Sequence, residues 1–263
     1  MEKTLWSHIS TVRDQSPLVH SVTNYVVMNN TANALLAVGA SPIMAHAHPE
    51  IHEIVSICQS VVINIGTLDE YWLESMLNAA TNANRLNKPW VLDPVGAGAT
   101  SYRDTALMLL LALKPTVIRG NASEILALAK SNQTKTKGVD STAESNEAIE
   151  AARYLNKNFG SVVCISGQTD IIVADGKEIH ISNGHSLMTK VTGLGCSATA
   201  VIGAFVAVIE NKTEAVAAAT ALFSLAGEIA AEKADGPGSL QMHLLDTLYN
   251  ITEQTFLTRT RIK

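Results

Sequence analysis

Six apolar runs of this chain end in residues that can bind ligands or move protons. The endings are His20 to Asn24, Met44 to His48, Asn64-Ile65-Gly66-Thr67, Asp93 to Gly98, Arg119-Gly120-Asn121 with Glu124, and Ser166-Gly167-Gln168. A seventh segment, VTGLGCSATAVIGAF, sets Gly193 and Gly195 directly before an apolar helical pattern. Glycines there leave backbone N–H groups free to approach a phosphate or a developing anion, unless the pair is simply a turn. Cys196 follows in the first helical turn, where the helix dipole lowers a thiol pKa, although a lone cysteine is more often an inert buried one.

Asp93 and Glu124 close neighbouring segments, and two carboxylates so placed can hold Mg²⁺ directly or through water. Each has a plainer reading. Asp93 can be a turn residue before Pro94, and Glu124 can be the capping-box partner of Asn121. Arg119 ends an apolar run, and a cation there needs an anion or a carboxylate. Asn29 and Asn33 share a helix face with Val26 and could face a ligand or solvent. His46, His48 and His52 lack a helical i, i+4 pair, because Pro49 breaks the segment between His48 and His52, which argues against a metal site.

Other motifs narrow the field. Gly193-x-Gly195-x-x-Ala198 matches a dinucleotide fingerprint, but it lies late in the chain and the acidic residue at the right distance, Glu214, begins a helix. No GxxxxGK[ST] motif occurs. Nineteen basic and 24 acidic residues give a net charge of −5, with no basic run beyond Arg259, Arg261 and Lys263, so no nucleic-acid partner is expected. Cys58, Cys164 and Cys196 show no paired spacing, which argues against disulfides and structural zinc. The opening MEKTLWSHISTVRDQ is charged and has no apolar h-region, so a cytoplasmic location is expected. The uncharged stretch from Val191 to Ile209 suits a buried helix better than a membrane span, because its first half is TGLGCSAT.

The elements that must position these residues alternate. Apolar strand-like runs are each followed by a helical pattern, around Ile51 to Gln59, Ser101 to Leu113, Ser123 to Ala129 and Glu144 to Asn158 among others. Repeated strand–helix units predict an α/β domain with a mainly parallel central sheet covered on both faces. Around Asp175-Gly176, two alternating runs predict an edge hairpin near 171–182. Ala-rich helices broken near Asn211 and a final amphipathic helix from Leu240 to Leu257 complete the pattern. One domain over 1–263 is expected, since no linker or repeat interrupts it. Only 16% of the residues are charged, which leaves little charge to cover a surface and points to buried area between copies.

Taken together, VHSVTNYVVMNNTAN, LLAVGASPIMAHA, VVINIGTL, VLDPVGAGAT, RGNASE, SVVCISGQTD and VTGLGCS resemble the hydroxyethylthiazole kinases over essentially the whole chain. The resemblance implies a ribokinase-like fold without a separate lid domain, and ATP- and Mg²⁺-dependent phosphorylation of 4-methyl-5-(2-hydroxyethyl)thiazole for thiamine salvage. It implies a homotrimer with the thiazole bound between subunits. By motif, Met44, Gly193, Asn24, Val26, Gly66 and Thr67 are substrate-binding positions. Arg119, Ser166 and Asn121 fall to ATP, Asp93 and Glu124 to the metal, and Cys196 with Gly193 and Gly195 to the transfer step.

Two positions depart from the family pattern. Leu194 stands where a small hydroxyl residue is frequent, and Ser166 where threonine is common; both keep their backbone groups. Kinases of other small alcohols, such as pyridoxine or hydroxymethylpyrimidine, and the nicotinamide-nucleotide-hydrate dehydratases generally carry Asp where Cys196 stands. A cysteine hydrolase using His185 or His243, and a non-catalytic nucleotide sensor, are the readings from other classes.

Overall fold

The computed structural model describes residues 1–131 and 144–263. Eight strands, β1 (Leu18–Val22), β2 (Ser41–Ile43), β3 (Ser60–Asn64), β4 (Trp90–Asp93), β5 (Val117–Asn121), β6 (Val162–Ser166), β7 (Asp170–Ala174) and β8 (Lys177–Ile181), form one sheet. Their order is β2-β1-β3-β4-β5-β6-β7-β8, parallel through β6. The last two strands are antiparallel, turning at Asp175 (φ 50°) and Gly176 (φ 74°), the left-handed pair a two-residue hairpin needs. The edge hairpin is therefore where the Asp-Gly pair places it.

Each inner strand is buried on both faces, because successive side chains point to opposite sides. Val62, Val91 and Val117 face α1 (Glu2–Gln15), α2 (Met28–Ala37), α8 (Leu194–Val208), α9 (Lys212–Lys233) and α10 (Pro237–Asn250). Val61, Ile63, Trp90 and Leu92 face α3 (Ile51–Ile57), α4 (Glu70–Arg85), α5 (Ser101–Ala112), α6 (Ala122–Ser131) and α7 (Glu144–Phe159). The chain goes outward from β1 to β2 and then returns past β1 to β3, so the winding direction reverses between β1 and β3. Open α/β sheets bind ligands at the carboxyl ends of the strands beside such a reversal.

α8 and α9 read as apolar all round because they are core helices. α9 is long and apolar enough to span a membrane by composition, yet 83% of its apolar window is buried against the domain. The break between them is Asn211, whose side chain caps α9 by accepting from Glu214 N at 3.2 Å. The single helix expected over Leu240 to Leu257 is two. Ile251 turns extended, and Thr252 caps α11 (Glu253–Arg259) by accepting from Thr255 N, a start signal that overrides the continuing apolar period.

α8 lies across β1, β3 and β4, and at Gly203 it touches the sheet. A Cβ on Gly203 would stand 2.4 Å from Val62 Cγ2 and 3.3 Å from Val19 Cγ1. Gly203→Ala should therefore cost roughly 1–3 kcal/mol of stability by urea unfolding. Val62→Ala in the same chain should recover part of that loss; a double variant no better than the single one would show that the approach is not what limits this site.

Candidate active site

At the reversal point the ends of β1, β3 and β4 and the start of α8 are joined by side chains. In register, Asn64 stands beside Asp93 on the neighbouring strand. Asn24 Nδ2 donates to Asn64 Oδ1 (2.7 Å), and Asn64 Nδ2 donates to Asp93 Oδ2 (2.7 Å). Thr199 Oγ1, one turn into α8, donates to the same oxygen (2.8 Å). Asn24, Asn64, Asp93 and Thr199 are all buried. The second proton of the Asn24 amide points to Cys196 Sγ at 3.6 Å. The donors running from Asn24 through Asn64, together with the Thr199 hydroxyl, are thus directed towards Asp93.

Burial, reinforced by the Glu124 charge, raises Asp93 from 3.8 to about 6, against the opposing pull of Arg119, Thr199 and Asn64. The same burial and the Asp93 charge push the Cys196 thiol up to about 11. That corrects the expectation of a lowered thiol pKa: desolvation and a neighbouring carboxylate outweigh the helix dipole. His185 and His243 do not pair with Cys196. The His185 ring accepts from Leu187 N at 3.1 Å, and His243 sits in α10.

The start of α8 depends on Gly193, whose φ of 81° is left-handed and whose Cβ would lie 2.5 Å from Val27 Cγ1. Arg119, at the end of β5, donates to Gly195 O (3.0 Å) and so meets α8 rather than solvent. Glu124 does what its capping-box spacing suggests. It accepts from Asn121 N at 2.9 Å, while Asn121 Oδ1 accepts from Glu124 N at 2.9 Å. Its other oxygen accepts from Gly96 N at 3.0 Å, tying the Asp93–Gly98 turn to α6.

Gly66 N and Val26 N donate to the Asn64 and Asn24 amide oxygens, and Thr67 Oγ1 accepts from Tyr25 N. The segments 24–26 and 64–67 therefore form one unit at the reversal point. Val26 and Tyr25 are exposed beside it at 62% and 58%. Met44 follows the edge strand β2 at the same end of the sheet. Asn29 and Asn33 pair with each other on an exposed face of α2. His46 stacks on Trp72, His48 on Tyr71, and His52 bonds Asn82, so the three imidazoles have separate partners. Among the described residues no cluster of three or more His, Cys, Asp or Glu could hold a metal.

Beyond Arg119 opens a cleft of about 920 Å³, lined at one end by Arg119, Gly195 and Ser166 and farther out by Asn183, Met188 and Phe223. Asn121 does not line it. Asp170 on its floor accepts from Gly167 N (3.1 Å) and Ser224 Oγ (2.7 Å), holding the turn after Ser166. Asn64, expected at a strand ending, is one immediate partner of Asp93; the other, Thr199, and also Arg103 escape a reading of motifs. Arg103 clamps the carbonyls of Ile65, Val95 and Gly66 from the first turn of α5. The signals available for them were a hydroxyl inside an otherwise apolar helix and an arginine just after a glycine-rich turn.

Asp93 has a testable energetic signature. Between pH 3.8 and about 6 the folded protein holds a proton on Asp93 that the unfolded chain has lost, so stability declines as pH rises through that window. At neutral pH the ionised group costs about 3 kcal/mol, on the order of two pKa units. Asp93→Asn should therefore raise the melting temperature at pH 7.5, with the gain vanishing below pH 4, while kcat falls by roughly 100-fold or more. Calorimetry across pH, alongside turnover, checks both.

The hydroxyethylthiazole kinase family model matches residues 9–254. A hydroxyethylthiazole kinase from Syntrophus aciditrophicus is 55% identical over 258 residues, 98% of this chain and 96% of that protein. A solved structure of hydroxyethylthiazole kinase protein from Pyrococcus horikoshii OT3 superposes with a TM-score of 0.91 at 42% identity, covering 99% of this chain and 98% of that one. A ribokinase-like superfamily protein from Enterococcus faecalis, at 15% identity and a TM-score of 0.63 over 88% of this chain and 86% of its own, shares the fold. With its parallel sheet, its site at the reversal point and these relatives, the chain belongs to the hydroxyethylthiazole kinase family and has the ribokinase-like fold.

Proposed function

We propose that this chain transfers the γ-phosphoryl group of ATP to the primary alcohol of 4-methyl-5-(2-hydroxyethyl)thiazole, supplying the thiazole phosphate for thiamine synthesis. The observation that carries this reading beyond family membership is the hydrogen-bonded line from Asn24 through Asn64 to Asp93 and Thr199. It joins the hydrogen-bonded segments 24–26 and 64–67 to the α8 N-terminus and the Arg119 cleft, so an acceptor alcohol and a nucleotide can meet at one carboxylate.

Phosphoryl transfer has a loose transition state, so positioning and charge stabilisation do most of the work. The backbone N–H groups of Gly193 to Cys196 face the transferring phosphate from the helix start, and Arg119 and Ser166 hold the nucleotide phosphates. Gly66, Thr67, Val26 and Asn24 shape the thiazole pocket, with Met44 at the adjoining sheet edge. Asn121 serves the nucleotide end indirectly, by fixing Glu124.

Asp93 and Glu124 fit a hard cation. Both donors to Asp93 use Oδ2, and no described residue donates to Oδ1. The upward shift of this carboxyl shows a negative charge short of compensation. Mg²⁺ there would neutralise charge on the phosphates, reached from Glu124 through water because both Glu124 oxygens already accept backbone protons.

The exposed Tyr25 and Val26 at the acceptor end leave apolar surface that supports a homotrimer whose neighbouring copy covers it. The whole of 1–263 serves as one domain, in the cytoplasm. Incubation with Mg-ATP and the thiazole alcohol should yield the phosphate monoester by mass spectrometry. Acceptance of pyrimidine alcohols or pyridoxine instead would overturn the substrate, and monomers alone by light scattering would overturn the trimer.

Cys196 is a poor base, since a thiol at about 11 is almost wholly protonated at neutral pH. Cys196→Ala should keep turnover within roughly tenfold, and Cys196→Asp should keep or raise it, because late proton removal from the alcohol then finds a carboxylate. Loss of both activities to background, with ATP still bound, would make the thiol essential and contradict this.

A further inference from the structure

The basic segment Arg259 to Lys263 has no role in the transfer chemistry, yet it is built into the far wall of the cleft. It lies antiparallel to β8: His180 N donates to Lys263 O and Lys263 N to His180 O (2.9 Å each), and Ser182 N donates to Arg261 O (3.0 Å). Arg261 then holds Glu228 of α9 through both guanidinium ends, at 3.0 and 2.6 Å, and donates to Ser182 O at 2.9 Å. Glu228 in turn accepts from Gly184 N and Asn183 Nδ2, each 3.2 Å. Asn183 closes the circuit by donating to Arg259 O (3.0 Å) and accepting from Arg261 N (2.7 Å).

What this circuit fixes is the stretch Asn183 to Thr189, which lines the cleft opposite Arg119. Arg119 is on β5 and this wall follows β8, three strand spacings away, or roughly 14 Å. Phosphates bound at Arg119 and Gly195 place a nucleoside, not further phosphate, at that distance. Glu228 is largely buried, with 14% of its side chain exposed, while Arg261 is half-exposed at 53%, so what distinguishes the pair is its geometry rather than its burial. A bidentate arginine–carboxylate pair also fixes geometry that a point charge cannot.

We infer that Arg261 is a positioning residue of the ATP site: through Glu228 and Asn183 it holds the 183–189 wall against the nucleoside end of the nucleotide. The inference rests on the kinase reading for the identity of the ligand, and direct binding separates the two. The full chain and its Arg261→Ala and Arg261→Lys variants are titrated calorimetrically with ADP, and with inorganic tripolyphosphate as a probe of the phosphate end alone.

Arg261→Ala should weaken ADP about five- to tenfold, the scale of one lost ordinary hydrogen bond, and leave tripolyphosphate unchanged. Arg261→Lys should fall between, and KM for ATP should rise in parallel at constant kcat. Unchanged ADP affinity in Arg261→Ala, or equal weakening of ADP and tripolyphosphate, overturns the inference. If Arg261→Ala does not fold, Glu228→Gln is read by the same criteria. Wild-type protein that binds ADP without phosphorylating the thiazole alcohol defeats the kinase reading and leaves this one standing; wild-type protein that does not bind ADP defeats both.

Discussion

A carboxylate without enough water is the constraint from which the rest of this structure follows. Asp93 sits at 3% exposure with two hydrogen bonds on one oxygen and a pKa raised to about 6. A buried charge is tolerated only when its surroundings are fixed, and each fixing element can be named. Asn64 comes from the neighbouring strand, Thr199 from α8, and Arg119 from β5. Their approach requires α8 to lie close on the sheet at Gly203 and to start sharply at Gly193. An apolar core on both faces keeps those elements from relaxing away.

The same arrangement explains why one end of the sheet carries all the chemistry. The winding reversal between β1 and β3 leaves their carboxyl ends uncovered by connecting helices, and the helix start of α8 fills that gap with unpaired backbone donors. Donors point towards Asp93 from Asn24 through Asn64, so the line has a direction as well as a connection. Under the proposed function, it can register an alcohol at one end and a phosphate at the other. The cost of an under-compensated buried carboxylate is in keeping with the catalytic role proposed for it.

Much of this was legible in the residues. Apolar runs such as VVINI and SVVCIS are buried on both sides, the Asp-Gly pair makes the edge hairpin, and the Gly193–Gly195 pair opens α8, as period and turn chemistry require. Asn121 with Glu124 also reads correctly as a capping box, a local signal three residues long. What sequence could not supply was through-space pairing. Thr199 meets Asp93 across 106 positions, and Arg103 reaches three carbonyls on two other loops. The direction of the Cys196 shift turned on burial and on Asp93, neither of which helix position reveals. The shortage of charge goes with apolar helices such as α8 and α9 that the domain buries within itself, one of the causes the composition suggests.

The central claim is that Asp93 is a buried carboxylate short of positive charge where the segments 24–26 and 64–67 meet the start of α8 and the Arg119 cleft. Titration of its side-chain carboxyl by carbon-13 NMR, with and without Mg²⁺ and ADP, tests it most directly. The account predicts a midpoint near 6 in the free protein, as burial requires, and a clear fall once the cation and nucleotide are bound. A midpoint near 4 in the free protein, or one that does not move when they are added, would contradict it.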